Sequence, residues 1–271
     1  MTLKRPTCFI LQIIILFFVY SCNNGDNNTN NDTATQVIPK EQQLKKAVAQ
    51  YPDSLLLTEN LIEYYRNNGS YDTAINLTDE AIKKDSENVE LWDIKGTLLY
   101  ENGETLKSIK AYETAINIYP LPEYIISLGT LYAQTKNPKA LTMADALIIA
   151  DKAKAQREAL FIKGLYYAYT NNKQKAINFF DSCISIDYTY MFAYREKAIA
   201  LYDMGKYDDA LEVLNRAIAI QNSFDEGYYW RGRCYEKLNR KQDARENYQM
   251  ALLYDKNFIE AKDALEKLGG K

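Results

Sequence analysis

The chain has 271 residues, of which 47% are hydrophobic, so it is long enough to bury one substantial core. Its formal charge is −3 and it has no run of lysine and arginine, which excludes a general nucleic-acid-binding protein that neutralises phosphates. It contains no histidine, the residue that most often serves as a general base or a zinc ligand, and this argues against the commonest hydrolytic and zinc sites.

The chain begins with a leader over residues 1–21, in which Lys4 and Arg5 precede an apolar stretch over residues 9–20. A helix of that length is about 18 Å long, which is short of the roughly 30 Å hydrocarbon core of a membrane. The length therefore favours the apolar region of a signal peptide over a membrane-spanning helix. An ordinary secretory signal and an uncleaved anchor are the alternatives.

The end of the leader, Val19-Tyr20-Ser21-Cys22, resembles the lipobox of bacterial lipoproteins. In that family the leader is removed before the cysteine, whose sulfur receives a diacylglycerol and whose new amino group is acylated. Several acyl chains together give stable membrane anchoring. The resemblance implies lipidation of Cys22 and a mature chain that is lipid-anchored in the bacterial cell envelope, at the outer membrane on its periplasmic or surface side.

An asparagine-rich segment follows Cys22, and residues 22–37 are predicted to form a flexible linker. The segment has almost no apolar surface that could offset the entropy of ordering it. Asp26, Asn28 and Asn30 resemble the first ligands of a calcium-binding EF-hand loop. That loop also needs Gly at its sixth position and Glu at its twelfth, where this chain has Asn31 and Val37, so we predict no calcium site.

Beyond the linker, small residues recur at a spacing of 34 residues, and residues three, four and seven apart mark amphipathic helices around them. Small side chains at fixed intervals indicate places where paired helices cross closely. Three series carry the period: Ala81, Ala115, Cys183, Ala217 and Ala251; Ala176, Ala210 and Ala244; and Gly164, Ala198 and Gly232.

The period divides the rest of the chain into a half-repeat helix, six repeats and a cap. The half-repeat covers residues 38–54, and the cap covers residues 259–271, where Lys262, Asp263, Glu266 and Lys267 are expected to face water. The predicted repeats are 55–88, 89–122, 123–156, 157–190, 191–224 and 225–258. The first has Ile62 where a small residue is expected. The third is degenerate, because Gly129 and Tyr132 come one residue early and Pro138 interrupts the turn.

This pattern resembles the tetratricopeptide repeat (TPR), whose period and signature residues match those of the second, fifth and sixth repeats. The resemblance implies an all-α, right-handed superhelical solenoid of antiparallel helix pairs, with a concave groove that takes a partner peptide or helix. The groove positions of the family can be assigned to this chain by repeat position. They predict an acidic N-terminal half that contains Glu90, Asp93, Thr97, Tyr100 and Glu101. The C-terminal half is aromatic and basic and contains Phe161, Leu165, Tyr169, Phe192, Arg195, Ile199, Tyr202, Tyr229, Arg233 and Lys237.

No spacing of residues singles out a catalytic, cofactor or metal site, and we expect none. Cys183 and Cys234 lie two repeats apart and are interpreted as small packing residues rather than a disulfide pair. The predicted function is a non-enzymatic envelope scaffold or adaptor that binds partner proteins or peptides while a lipid tethers it to a membrane. The alternatives are a glycan-binding lipoprotein of the SusD-like type, which would need long insertions between helices, and an enzyme acting through carboxylates or a Ser–Lys pair.

Overall fold

The structure, a computed structural model, describes residues 39–269 apart from the side chains of residues 150–154. This part of the chain contains helices and turns and no strand, which confirms the all-α prediction. The predicted leader, Cys22 and the linker lie outside the described residues.

The helices fall into two compact units, the first ending at Tyr119 and the second beginning at Pro120. Unit 1 contains α1 (Lys40–Gln50), α2 (Leu55–Asn67), α3 (Tyr71–Lys84), α4 (Val89–Glu101) and α5 (Thr105–Ile118). Unit 2 contains α6 (Pro122–Gln134), α7 (Lys139–Tyr169), α8 (Lys173–Ile186), α9 (Met191–Asp203), α10 (Tyr207–Ile220), α11 (Asp225–Lys237), α12 (Lys241–Tyr254) and α13 (Ile259–Lys267). Within each unit, helices that follow one another in the chain pack against each other.

Short turns impose the antiparallel pairing of these helices. Within each unit, the connections between successive helices have three or four residues, which is short enough to bring neighbouring helices back alongside each other. In most repeats the first and second helices are joined by three residues and the next repeat follows after four. Around α6 the order is exchanged: residues 119–121 precede it and residues 135–138 follow it. This exchange explains why Gly129 and Tyr132 come one residue early.

The second residue of each turn within a repeat has a positive φ angle. Gly adopts this left-handed conformation without strain, and Asn adopts it more easily than most other residues. The residues and their φ angles are Gly69 (71°), Gly103 (81°), Lys136 (59°), Asn171 (65°), Gly205 (76°) and Asn239 (56°). The same turn therefore recurs with three different residue types, and Lys136 is the one least suited to it.

Paired helices are held together by side chains of complementary size. A Cβ added to Gly96, Gly164 or Gly232 would come within 2.5–2.6 Å of a ring sixteen residues later in the chain. Those rings belong to Tyr112, Phe180 and Tyr248. In the fifth repeat Ala198 takes the glycine position and Leu214 the ring position, and in the first repeat Ile62 is combined with the small Thr78. A larger residue in one helix thus coincides with a smaller one in its partner, and this accounts for Ile62.

Helix α7 contains a reversal of the chain. A straight helix would separate Asp145 from Lys163 by about 27 Å, yet Lys163 Nζ lies 2.7 Å from Asp145 Oδ1. The helix therefore has two arms that fold back on each other between these residues, and the predicted boundary between the third and fourth repeats falls in that interval. The sequence at residues 153–156 is Ala-Lys-Ala-Gln, which favours helix, whereas the equivalent residues 187–190 are Asp-Tyr-Thr-Tyr and form a turn.

Candidate partner-binding surface

The ten residues predicted for the C-terminal half of the groove lie on the second arm of α7, on α9 and on α11. The structure divides them by exposure. Four are buried: Phe161, Leu165, Arg195 and Tyr229. Four are half-buried: Phe192, Ile199, Tyr202 and Arg233. Two are exposed: Tyr169 and Lys237. A partner could therefore contact six of the ten directly, while the other four support the surface from below.

A chain of aromatic contacts joins α7 to α9. The ring of Tyr190 lies 5.3 Å from that of Phe161 and 5.7 Å from that of Phe192, in edge-to-face arrangements that favour aromatic packing. The guanidinium of Arg157 stacks 4.5 Å from the Tyr190 ring and donates to Asp187 at 2.5 Å. Arg157 and Tyr190 come before Phe161 and Phe192, the first groove positions predicted in their repeats. No sequence pattern identified them as part of this surface.

The charge of Arg195 was predicted to be available to a partner, and the structure shows that it is not. Its side chain is 9% exposed, and Nη1 donates to both carboxylate oxygens of Glu226 at 2.8 and 2.6 Å. Its Nε donates to Glu196 at 3.0 Å. Burial raises the pKa of Glu196, although Arg195 acts in the opposite direction. Two carboxylates thus neutralise this cation inside unit 2. Glu226 lies 34 residues after Phe192, so the repeat itself could have identified it as a groove residue.

Arg233 forms the centre of a second cluster, between α9 and α11. It donates to the hydroxyl oxygens of Tyr229 at 2.8 Å and Tyr202 at 3.2 Å, and its guanidinium lies 5.6–5.8 Å from the rings of Tyr202, Tyr229 and Trp230. Burial raises the pKa of Tyr229, opposed by Arg233. Its Nε also forms a long ion pair with Glu236 at 3.8 Å, and the Arg233 side chain is still 32% exposed. The cluster therefore keeps a partly accessible cation in a fixed position among aromatic rings.

The predicted N-terminal half of the groove lies on α4 in unit 1, and here too the structure separates its members. Thr97 is buried and shares a 2.9 Å hydrogen bond with the Tyr112 hydroxyl, so it belongs to the core and not to the surface. Glu101 forms an ion pair with Arg66. Glu90 is exposed. The pKa of Glu59 on α2 is raised mainly by burial of Glu59 and also by the negative charge of Glu90. The accessible part of this surface is therefore mainly acidic, with Arg66 31% exposed beside Glu101.

Neither the acidic side chains nor the two thiols of the described residues form a metal-binding or disulfide site. No group of three or more Cys, Asp or Glu side chains in this part of the chain could hold a metal ion. Cys183 and Cys234 are buried free thiols at packing positions, and burial raises the pKa of each to about 12, so both are protonated. None of the helices from residue 39 to residue 269 is long and apolar enough to cross a membrane.

Comparisons with known structures show the fold. The chain is similar to a tetratricopeptide repeat protein from Parabacteroides merdae ATCC 43184, with a TM-score of 0.72 and 22% identity over 85% of this chain and 91% of that one. It is also similar to PilW, described as a widely conserved type IV pilus biogenesis factor, with a TM-score of 0.57 and 17% identity over 77% of this chain and 97% of that one.

A curated relative is the DnaJ homolog subfamily C member 7 homolog of Schizosaccharomyces pombe, which is 22% identical over 245 residues. The match covers 89% of this chain but 46% of the relative, so the chain spans about half the length of that protein.

Family models identify the repeats themselves. Tetratricopeptide repeat models match residues 59–121, 158–190 and 225–258, and a TPR repeat model matches residues 199–239. Together these matches cover more than half of the chain, on both sides of the division between the two units. The all-α solenoid of antiparallel helix pairs is confirmed, and the chain belongs to the tetratricopeptide repeat family.

Proposed function

We propose that the chain is a non-enzymatic scaffold of the bacterial cell envelope, tethered by lipid on Cys22, that binds segments of partner proteins on the first helices of its repeats. The observation that carries the binding role is the surface around Arg233. Half-buried Ile199 and Tyr202 lie on α9, one repeat before a partly exposed arginine held by two tyrosine hydroxyls. Fixed aromatic and arginine side chains are the types that dominate binding energy at protein interfaces.

The partner segment proposed for unit 2 combines an apolar anchor with a carboxylate. The anchor would pack against Phe192, Ile199 and Tyr202, which are half-buried and already ordered. The carboxylate would approach Arg233 and the exposed Lys237, because Arg195 is neutralised by Glu226. The acidic accessible surface of unit 1 would repel the same carboxylate, so unit 2 is the favoured site.

The binding role is tested by placing a photo-crosslinking amino acid at Ile199 in cells, identifying the crosslinked segment and titrating it as a synthetic peptide. Tyr202→Ala and Arg233→Gln should each weaken binding by about 2 kcal/mol, or roughly thirtyfold, if both are hot spots. Glu90→Gln in unit 1 is the matched control and should leave the affinity unchanged. Equal losses for all three variants, with folding verified by circular dichroism, would contradict the proposal.

The lipid anchor rests on the lipobox and on the linker that follows it. A polar linker of about 15 residues would hold the repeats on the order of 20 Å from the membrane surface. Cells that express the wild-type chain should incorporate labelled palmitate into it, and Cys22→Ser should abolish the label. A variant that changes the buried Cys183 to Ala is the control, because it removes a thiol without touching the lipobox. Persistent labelling of Cys22→Ser would rule out this cysteine as the acceptor.

A further inference from the structure

Unit 1 has an open cleft on the side of α4 away from its predicted groove residues. The cleft has a volume of about 650 Å³ and lies between α3 and α5, which run parallel because each is antiparallel to α4. Trp92, Lys95 and Leu99 of α4 form its floor. At 3.6 residues per turn these three residues lie on the face of α4 opposite Glu90 and Asp93. The cleft is therefore separate from the surface proposed above.

Small side chains on α5 leave the cleft open. Its wall there contains Ala111 and Thr114, whereas Asn247 and Met250 occupy the same repeat positions on α12 in unit 2. In unit 2 the side chain of Arg231 spans the equivalent space, donating to Asn215 on α10 at 2.9 Å and to Asn247 on α12 at 2.6 Å.

In unit 1 the residue equivalent to Arg231 is Lys95, which forms an ion pair with Asp79 on α3 at 2.6 Å and lies 5.0 Å from the Trp92 ring. With Ala111 opposite it, α5 presents no polar side chain at the position from which Asn247 closes the equivalent space in unit 2. At these positions Ala111 leaves open the space that Asn247 and Arg231 fill in unit 2.

The two walls of the cleft carry opposite charges. Asp72 and Asp79 lie seven residues apart on α3, which places them on one stripe about 10 Å long. Lys107 and Lys110 line the facing stripe of α5, and Lys107 is 69% exposed although it pairs with Glu104. An exposed ion pair of that kind is weak and can be exchanged for a partner's charge. In the equivalent space of unit 2 the lysine positions are Asp243 and Glu246.

We propose that this cleft is a second binding site, which takes an amphipathic helix of a partner protein with one basic and one acidic flank. Half-buried Ile75 and Trp92 provide the apolar contact surface for a stripe of about two turns, and buried Leu99 and Ala111 lie beneath them. A helix laid between two parallel helices packs its ridges into their grooves. Its basic flank faces Asp72 and Asp79, and its acidic flank faces Lys107 and Lys110.

Charge complementarity can be tested before the natural partner is known, using three synthetic helical peptides of about 14 residues with the same leucine stripe. One has a basic and an acidic flank, one has two basic flanks and one has two acidic flanks. The mixed peptide fits the walls in one of its two directions, whereas each of the others places like charges against one wall. The mixed peptide should therefore bind the full-length chain about tenfold more tightly than either of the others.

Binding is measured by anisotropy of the labelled peptides and by Trp92 emission in a Trp230→Phe background, since the chain has two tryptophans. The double variant Ala111→Asn/Thr114→Met copies the residues of α12 and should weaken binding of the mixed peptide by about tenfold. Tyr202→Ala, on the separate surface of unit 2, should not change it. If Tyr202→Ala weakens binding of the mixed peptide and Ala111→Asn/Thr114→Met does not, the peptide binds the surface of unit 2 and the cleft assignment is overturned.

Three further results would overturn the proposal. The first is equal affinity for the three peptides, and the second is unchanged binding by an Ala111→Asn/Thr114→Met chain that has a wild-type circular dichroism spectrum. The third comes from sedimentation velocity: a wild-type dimer that becomes a monomer in the double variant would identify a second copy of the chain as the occupant. A monomer in both cases, combined with the expected peptide affinities, supports a partner helix.

Discussion

The two units use the same repeat frame to build different surfaces on their first helices. In unit 1 the exposed groove charge is the carboxylate of Glu90, and Arg66 pairs with Glu101 while its own side chain is still 31% exposed. In unit 2 the equivalent region contains aromatic rings, and Arg195 pairs with Glu226 where its side chain is 9% exposed. A charged residue at a groove position therefore does not by itself indicate a charged surface, because its burial and its neighbours decide whether its charge is available.

Breaking the two ion pairs should give the largest effect and the clearest contrast between the units. Glu226→Ala leaves a buried guanidinium with Glu196 as its remaining carboxylate, and should lower the free energy of unfolding by about 3 kcal/mol. Glu101→Ala leaves Arg66 able to reach water, and should cost about 1 kcal/mol or less. Urea unfolding is followed by Trp230 emission for unit 2 and by Trp92 emission for unit 1, each in a background where the other tryptophan is Phe. Equal costs would show that burial does not distinguish the two pairs.

The packing of paired helices should give the next largest effect. Gly164→Leu drives a side chain into the Phe180 ring and should cost about 2 kcal/mol through overpacking. The double variant Gly164→Ala/Phe180→Leu copies Ala198 and Leu214 of the following repeat, and should cost less than about 1.5 kcal/mol because it keeps the combined size. Both are measured by urea unfolding with Trp230 emission. A double variant less stable than Gly164→Leu would refute the size-complementary pairing.

The turns within repeats should give smaller effects, with opposite signs in the two units. Gly103 in unit 1 has a φ angle of 81°, and Gly103→Ala should destabilise by about 1 kcal/mol. Lys136 in unit 2 has a φ angle of 59°, and Lys136→Gly should stabilise by about 0.5 kcal/mol, because relief of strain outweighs the added freedom of the unfolded chain. Thermal and urea unfolding measure both. Destabilisation by Lys136→Gly would mean that contacts of the lysine side chain outweigh the backbone strain.

The ion pairs between successive repeats should give the smallest effect. Lys197 Nζ lies 2.5 Å from Asp181 and Lys95 Nζ lies 2.6 Å from Asp79, and each pair is partly exposed. Lys197→Met should cost about 0.5 kcal/mol or less. Lys95→Met should cost about 0.5 kcal/mol, slightly more than Lys197→Met, because Lys95 also lies over the Trp92 ring. Urea unfolding in 1 M salt should reduce both losses, and a loss at Lys197 that is larger than at Lys95 would contradict this ranking.

The sequence predicted the features that depend on packing between neighbouring helices. Gly96, Gly164 and Gly232 were identifiable because each must sit against a ring sixteen residues later, and only a residue without a side chain fits there. The irregular third repeat was also visible, since Gly129 is displaced by the one-residue shift in the turns around α6. The predicted groove residues were only partly correct, because Thr97 and Phe161 are buried and do not lie on the accessible surface.

The 34-residue period of small and aromatic residues was enough to predict the all-α repeat architecture, because it reflects contacts that every repeat must make with its neighbour. Which charges remain accessible could be read from the folded structure alone. The pairing of Arg195 with Glu226 joins residues on two different helices, and the cleft beside Trp92 depends on Ala111 lying across from Lys95. Burial and electrostatics depend on all the groups that surround a side chain in space, and a single repeat position does not specify them.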